Sequence, residues 1–211
     1  MKSQFENITN LFFEWGVLSR MDRSGPALAQ IDNPDSLADH TVRTALIAFV
    51  LAEMEGADPY KTAVMALIHD LGEIRVGDQN KVSARYLKMG NAEQKAFLDQ
   101  IKILPGNVKK AWRKLYQENE ERTSWEGVIA RDADWLENAV SSKEYISKGY
   151  KSMQDWIDNI KKALETDSAK KLLAEIEKTE PTDWWKGLKK MTHKKLPKTK
   201  INKLRPKADD L

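Results

Sequence analysis

Residues 63–68, Ala-Val-Met-Ala-Leu-Ile, are apolar on every side and lead directly into His69-Asp70. A segment without a polar face has to be surrounded, so it predicts a helix at the centre of a layered assembly. Its start is marked by Asp58-Pro59, a capping side chain followed by proline at the first helical position. The same signal stands earlier, where Asn33-Pro34-Asp35-Ser36 predicts a helix capped by Asn33 and running to about Met54. That helix is expected to pack through Leu37, Val42, Ala45, Leu46, Phe49 and Val50, and Gly56 ends it. Upstream, Leu11–Met21 carries Leu11, Phe12, Trp15 and Leu18 at helical spacing. Arg23-Ser24-Gly25-Pro26 then breaks the pattern, and a loop is expected to about Asn33.

Downstream, Gly72 and Gly77 bracket a turn holding Glu73 and Asp78. Further helices are predicted at Ala92–Ile103, Asn107–Asn119, Ser124–Ser147, Met153–Glu165 and Ser168–Glu177. No segment alternates like a strand and none repeats, so the fold class is all-α, a single multi-helix globule. Trp112, Trp125 and Trp156 fall at apolar helix positions and are read as core. Asp183-Trp184-Trp185 is expected to dock on the body through its indoles.

Charge divides the chain. Between Lys186 and Lys207 there are ten Lys or Arg and no acid; without those and the terminal Asp209 and Asp210, 25 bases face 30 acids. A basic tail (residues 186–211) therefore follows an acidic domain (residues 1–185), and the whole-chain balance of +3 is no argument for nucleic-acid binding. Beyond Leu188 the tail holds too little apolar surface to order itself and reads as solvated. Contact with nucleic acid through it is the disfavoured alternative. Cysteine is absent, which excludes disulfides, thiolate metal sites and cysteine nucleophiles. Met1–Phe13 lacks the pattern of a secretory leader, and the longest apolar runs, such as Ala45–Ala52, are too short to cross a bilayer. The expected location is the cytoplasm.

Of three histidines, His193 sits among tail lysines and reads as an ordinary surface residue. His40 and His69 each interrupt an apolar helix, and each adjoins an aspartate (Asp39-His40, His69-Asp70). One such histidine is more often a buried ring satisfied by a hydrogen bond. Two on consecutive core helices, with buried carboxylates that cost several kcal/mol if unpaired, are economically satisfied by a divalent cation. Asp132 and Asp134 add acid to a helix that otherwise buries Val128, Ile129, Trp135 and Leu136. Two residues apart is about 200° of rotation, so one of the pair is expected to face solvent, and periodicity does not say which.

His40, then His69-Asp70 about thirty residues on, then an acid on a later helix, resembles the HD-domain metal-dependent phosphohydrolases. Arg23-Ser24-Gly25, Pro34-Asp35-Ser36-Leu37-Ala38-Asp39-His40, His69-Asp70-Leu71-Gly72-Glu73, Val76-Gly77-Asp78 and Asp132-Ala133-Asp134 look like successive blocks of its 5′-deoxynucleotidase branch, over roughly residues 5–180. The resemblance assigns one divalent ion to His40, His69, Asp70 and Asp134, and so chooses Asp134. Two imidazoles and two carboxylates suit Mn, Co, Fe, Ni or Zn better than Ca. The ion would act as Lewis acid and activate water. No further histidine is present for a second metal of the cyclic-dinucleotide phosphodiesterase kind.

By the same resemblance Glu73 is the general acid/base, Asp78 contacts the deoxyribose and Arg23 orients the phosphate, while Lys81 is a further candidate for substrate contact. Where the branch commonly carries an aromatic after Arg-x-Gly, this chain has Pro26, so the ring that would support a base is missing there. The implied function is removal of phosphate from deoxyribonucleoside 5′-monophosphates by a homodimer. The alternatives are an HD hydrolase of nucleoside triphosphates or analogues, and a non-catalytic nucleotide- or RNA-binding module.

Overall fold

The computed structural model describes residues 3–87, 90–188 and 195–204, and their regular structure is helical. In chain order the α-helices are α1 (Gln4–Trp15), α2 (Ser24–Leu28), α3 (Leu37–Met54), α4 (Pro59–Ile68), α5 (Glu73–Val76) and α6 (Gly90–Ile101), followed by α7 (Gly106–Glu121), α8 (Trp125–Ser147), α9 (Gln154–Ala163), α10 (Asp167–Lys178) and α11 (Lys198–Leu204). One isolated antiparallel bridge, Asp22 to Ser36, is the nearest approach to a strand among the described residues. The all-α expectation holds. No helix among the described residues is long and apolar enough to cross a membrane.

The helix starts follow their caps. Asp58 accepts the backbone N–H groups of Tyr60 and Lys61, with Pro59 in the first turn of α4. Ser124 and Thr166 cap α8 and α10 in the same manner. At α3 the expected cap was displaced by three residues: Ser36, not Asn33, accepts the Asp39 N–H at 3.2 Å, and the Asp39 carboxylate accepts the Ser36 N–H at 2.9 Å. This reciprocal box satisfies two otherwise orphaned donors, which a lone Asn33 does not. The expected loop after Arg23 holds the one-turn helix α2; Pro26 falls in its first turn, where the missing N–H has no intrahelical acceptor to lose. The predicted Leu11–Met21 helix begins earlier, at Gln4, and tightens into a 3₁₀ turn over Gly16–Arg20.

Two clusters of buried side chains meet at α4. One contains Leu51 and Ala52 of α3, Ala66 of α4, Ile129, Ala133 and Leu136 of α8, Ile157 of α9 and Leu173 of α10. The other joins Leu11 of α1, Ile68 of α4, Phe97 and Ile101 of α6, and Tyr116 of α7, with the Phe97 and Tyr116 rings stacked at 4.2 Å. The apolar segment 63–68 is therefore central, as its composition implied, but not surrounded: Met65, Ala66 and Ile68 are buried while Leu67 is exposed. Small residues let α3, α4 and α8 approach closely: Ala48, Ala52, Ala66, Ala133 and Ala139 are all fully or nearly fully buried.

Several packing expectations were wrong. Val42, Leu46 and Val50 of α3 are exposed; Leu37 and Ala45 are buried as expected, and the rest of the buried face includes His40, Thr44, Ala48 and Leu51. The helix is apolar on both sides, so periodicity did not separate its faces. Phe12 is exposed, and Trp125 is half exposed, its indole N–H donating to the Glu55 carbonyl at 3.3 Å. From Pro181 onward the chain forms a separate unit. There Trp184 is exposed. Lys198–Leu204 is helical where no order was expected, starting on backbone bonds to the Pro197 carbonyl. His193 lies outside the described residues.

Candidate metal centre

Three helices of the first unit contribute to one point. His40 comes from the first turns of α3, His69 and Asp70 from the end of α4, and Asp134 from the middle of α8. His40 Nε2 lies 3.3 Å from Asp134 Oδ1 and 3.4 Å from Asp70 Oδ2. His69 Nε2 lies 3.1 Å from Asp70 Oδ2 and 4.0 Å from Asp134 Oδ1. Both rings are buried, with centroids 5.5 Å apart.

The far side of each ring is already committed. His69 Nδ1 is 2.7 Å from the Ala66 carbonyl, which can only accept, so Nδ1 carries the proton. His40 Nδ1 makes a very short contact with the buried Glu137 carboxylate. In the neutral rings both Nε2 lone pairs therefore point at carboxylate oxygens. Neither Nε2 has a hydrogen-bond partner among the described residues. Four lone-pair donors facing one another are repulsive until a proton or a cation stands between them. His40, His69 and Asp134 bring their donor atoms close enough together to hold a divalent ion, and Asp70 Oδ2 lies within 3.4 Å of both Nε2 atoms while also grouping with Glu73 and Glu93.

The electrostatics have the same cause. Burial opposes the charged form of His40, but Asp134, Asp70 and Glu137 outweigh it and raise its proton affinity well above the ordinary range. His69 is likewise raised, against its burial, by Asp70 and then Asp134. Burial favours the neutral acid at Asp70, yet His69 and His40 hold that carboxyl well below the usual value, and Asp134 is depressed by the same two rings. The cluster is thus poised to keep its carboxylates ionised.

Around this point stand the other residues singled out from the sequence. Glu73, on α5, is nine-tenths buried, and its Oε2 has no partner among the described residues. Burial, then Asp70, Asp78 and Glu93, push its carboxyl up to about 11. Arg23 is largely buried; Nε and Nη1 make no hydrogen bond among the described residues, and Nη2 donates to Asn138 Oδ1 at 3.3 Å. Asp78 lies 3.6 Å from Arg23 Nε and accepts the Ser24 N–H in a very short bond, so it ties the α2 entry to the turn after α5. Lys81 lies farther out, its ammonium 5.1 Å from the centre of the Trp135 ring.

Asp132 resolves differently from either alternative expected of it. It does not face solvent; it is 1% exposed and accepts the backbone N–H groups of Glu165 at 3.0 Å and Thr166 at 2.7 Å. It holds the α9–α10 connection while Asp134 faces the histidines.

Four neighbours of the site were missed. Glu137 backs His40, and Asn138 donates to Asp134 Oδ1 at 3.1 Å. Arg131 lies 3.5 Å from Asp134 Oδ2, and Glu93 groups with Asp70 and Glu73. A signal existed for each. Arg131, Glu137 and Asn138 are three or four residues from Asp134 on one helix, and Glu93 is one turn before the core residue Phe97.

A model of the HD domain matches residues 16–177. Among curated proteins, 5′-deoxynucleotidase HDDC2 of Homo sapiens is 25% identical over 171 residues, covering 80% of this chain and 83% of that protein. Its namesake in Dictyostelium discoideum is 30% identical over 149 residues, covering 66% of this chain and 77% of the relative. A solved structure of a conserved hypothetical protein from Pyrococcus furiosus matches with a TM-score of 0.68 at 29% identity, covering 81% of this chain and 99% of that one. The chain belongs to the HD-domain family. It is an enzyme of the metal-dependent phosphohydrolase class.

Proposed function

We propose that this phosphohydrolase is a 5′-nucleotidase that removes phosphate from deoxyribonucleoside 5′-monophosphates, with one divalent ion held by His40, His69, Asp70 and Asp134. The observation that carries the reading is the convergence of two partnerless Nε2 atoms and two carboxylates beside a largely buried arginine whose Nη1 has no partner among the described residues. The shared name of the curated relatives supports the choice of substrate.

An ion of the Mn, Co, Fe, Ni or Zn kind supplies Lewis acidity toward a phosphate oxygen. Arg23 presents its partnerless Nη1 to the phosphate dianion and is kept in place by Asp78 at Nε and Asn138 at Nη2. Water adds to phosphorus as the P–O5′ bond breaks, giving orthophosphate and a nucleoside. Glu73 handles the proton: its raised affinity for one suits donation to the leaving 5′-oxygen. Asp78 is the acid proposed to meet the deoxyribose, and Lys81 an outer contact for the substrate. With Pro26 in the first turn of α2, no aromatic stands at that position to stack on a base.

In this reading residues 1–185 are the catalytic domain, residues 186–211 take no part in chemistry, and the enzyme acts as a cytoplasmic homodimer. The exposed row Val42, Leu46, Val50 and Met54 on α3 supplies apolar surface for self-association. The test is a screen of metal-stripped protein resupplied with Mn(II) or Co(II) against ribo- and deoxynucleoside monophosphates. Orthophosphate release, with deoxyribonucleotides preferred, is expected. Silence across all monophosphates would overturn the assignment, and pyrophosphate or triphosphate released from nucleoside triphosphates would replace it.

A further inference from the structure

Helices α3 and α8 interlock through a second set of polar side chains directly behind the metal centre. His40 and Arg43 are one turn apart on α3; Asp134, Glu137, Ser141 and Glu144 follow one another down one face of α8. His40 reaches Asp134 with Nε2 and Glu137 with Nδ1. Glu137 is 2% exposed, and both of its oxygens are used as acceptors. Oε2 faces His40 Nδ1, while Oε1 accepts from Arg43 Nε at 2.9 Å and from Ser141 Oγ at 2.9 Å. The Arg43 fork is itself fixed, donating through Nη1 to Glu144 at 2.9 Å and through Nη2 to Asp35 at 3.3 Å. The other polar atom near His40 Nδ1, Thr44 Oγ1, is 3.5 Å away.

From this we infer that Glu137, clamped by Arg43, is the positioning residue for His40 as a metal ligand: it holds the proton on Nδ1 and leaves the Nε2 lone pair for the ion. A carboxylate beyond a histidine ligand fixes the ring's tautomer and orientation and makes it a better donor. The two ligands differ in this respect. His69 has a neutral backbone carbonyl behind it, which no side-chain substitution removes, whereas His40 depends on a charged group supplied by another helix. The inference rests on the reading of His40 as a ligand and adds to it where that ligand's geometry comes from.

Glu137→Gln tests it with almost no change of shape. Both oxygen positions of Glu137 face donors, and an amide must place its NH₂ in one of them. Toward His40 it would force the proton onto Nε2 and remove the ligand. Toward Arg43 it would set donor against donor. The measurement is the Mn(II) dissociation constant of the full-length protein by competition with a chelating dye, beside the melting temperature of the metal-free protein and the visible spectrum of the Co(II) form. Weakening of Mn(II) binding by about ten- to a hundredfold is expected, with a changed Co(II) spectrum and activity recovered by raising Mn(II). A lower metal-free melting temperature with unaltered Mn(II) affinity would mean that Glu137 serves only the α3–α8 packing, and the inference would fall.

Should Glu137→Gln not fold, Arg43→Lys at the partly exposed end of the chain of contacts is expected to weaken Mn(II) binding in the same direction by a smaller factor. Unchanged affinity there would count equally against the inference. His40→Ala separates the two levels. If it lowers Mn(II) affinity and the Glu137 and Arg43 variants do not, only the positioning role is lost. If His40→Ala also leaves affinity unchanged, the ligand set itself is wrong.

Discussion

Asp132 and Asp134 show how far a single residue can be read from its neighbours. Both are acids on one buried helix, two positions apart, and their fates diverge through partners far away in sequence. Asp134 meets two histidines from other helices, while Asp132 accepts backbone N–H groups 33 and 34 residues downstream. Asp132→Ala leaves those donors inside the protein without an acceptor, so it should destabilise the fold by about 2–4 kcal/mol, read from urea unfolding of the metal-free protein. Asp134→Ala should instead lower phosphohydrolase activity by more than about a hundredfold with little loss of metal-free stability, since it removes one of several crowded carboxylates. Equal stability losses in the two variants would contradict this division. Composition and spacing marked both acids as unusual. They could not rank them, because the ranking is made by the α9–α10 connection and by α3 and α4, which a local pattern does not contain.

At the scale of an element, the entry of α3 decides where His40 stands, since His40 lies at the fourth position of the helix. Asn33-Pro34 has the composition of a start, but the helix begins only after Ser36, which is extended and held by the Asp22–Ser36 bridge and the Ser36–Asp39 box. Ser36→Ala should cost about 1 kcal/mol, the usual value of an N-cap, whereas Asn33→Ala should stay within about 0.5 kcal/mol. Thermal melts of the two variants check both figures, and a larger loss at Asn33 would restore the cap read from sequence. Helix existence was legible because caps and apolar spacing are local. Which face is buried was not legible on α3, where the exposed Val42, Leu46 and Val50 are more apolar than the buried His40, Thr41 and Thr44. On α4 the all-round apolar composition hid a similar asymmetry: Met65, Ala66 and Ile68 are buried, but Leu67 is 43% exposed.

For the molecule as a whole, composition separates an acidic body from a basic tail, and every candidate site residue lies within the first unit, which ends at Glu180. Removal of residues 189–211 should therefore leave the specific activity and its salt dependence unchanged; a loss of either would give the tail a part in catalysis. The metal supplies the more demanding test. Its proposed ligands come from α3, α4 and α8, so an ion at this point ties together three helices that also share the main buried cluster. Without it, two carboxylates and two imidazole lone pairs remain crowded inside the protein. An ion that binds only the folded chain adds RT ln(1 + [L]/Kd), about 2.7 kcal/mol at a hundredfold excess over Kd. For a body of this size that corresponds to a rise in melting temperature of roughly 5–10 °C. The rise should follow Mn(II) concentration, reverse on chelation, and vanish in His69→Ala, where the ligand set is broken. A melting temperature indifferent to Mn(II), in protein shown to be folded, would mean that the convergence of these helices serves packing and not an ion.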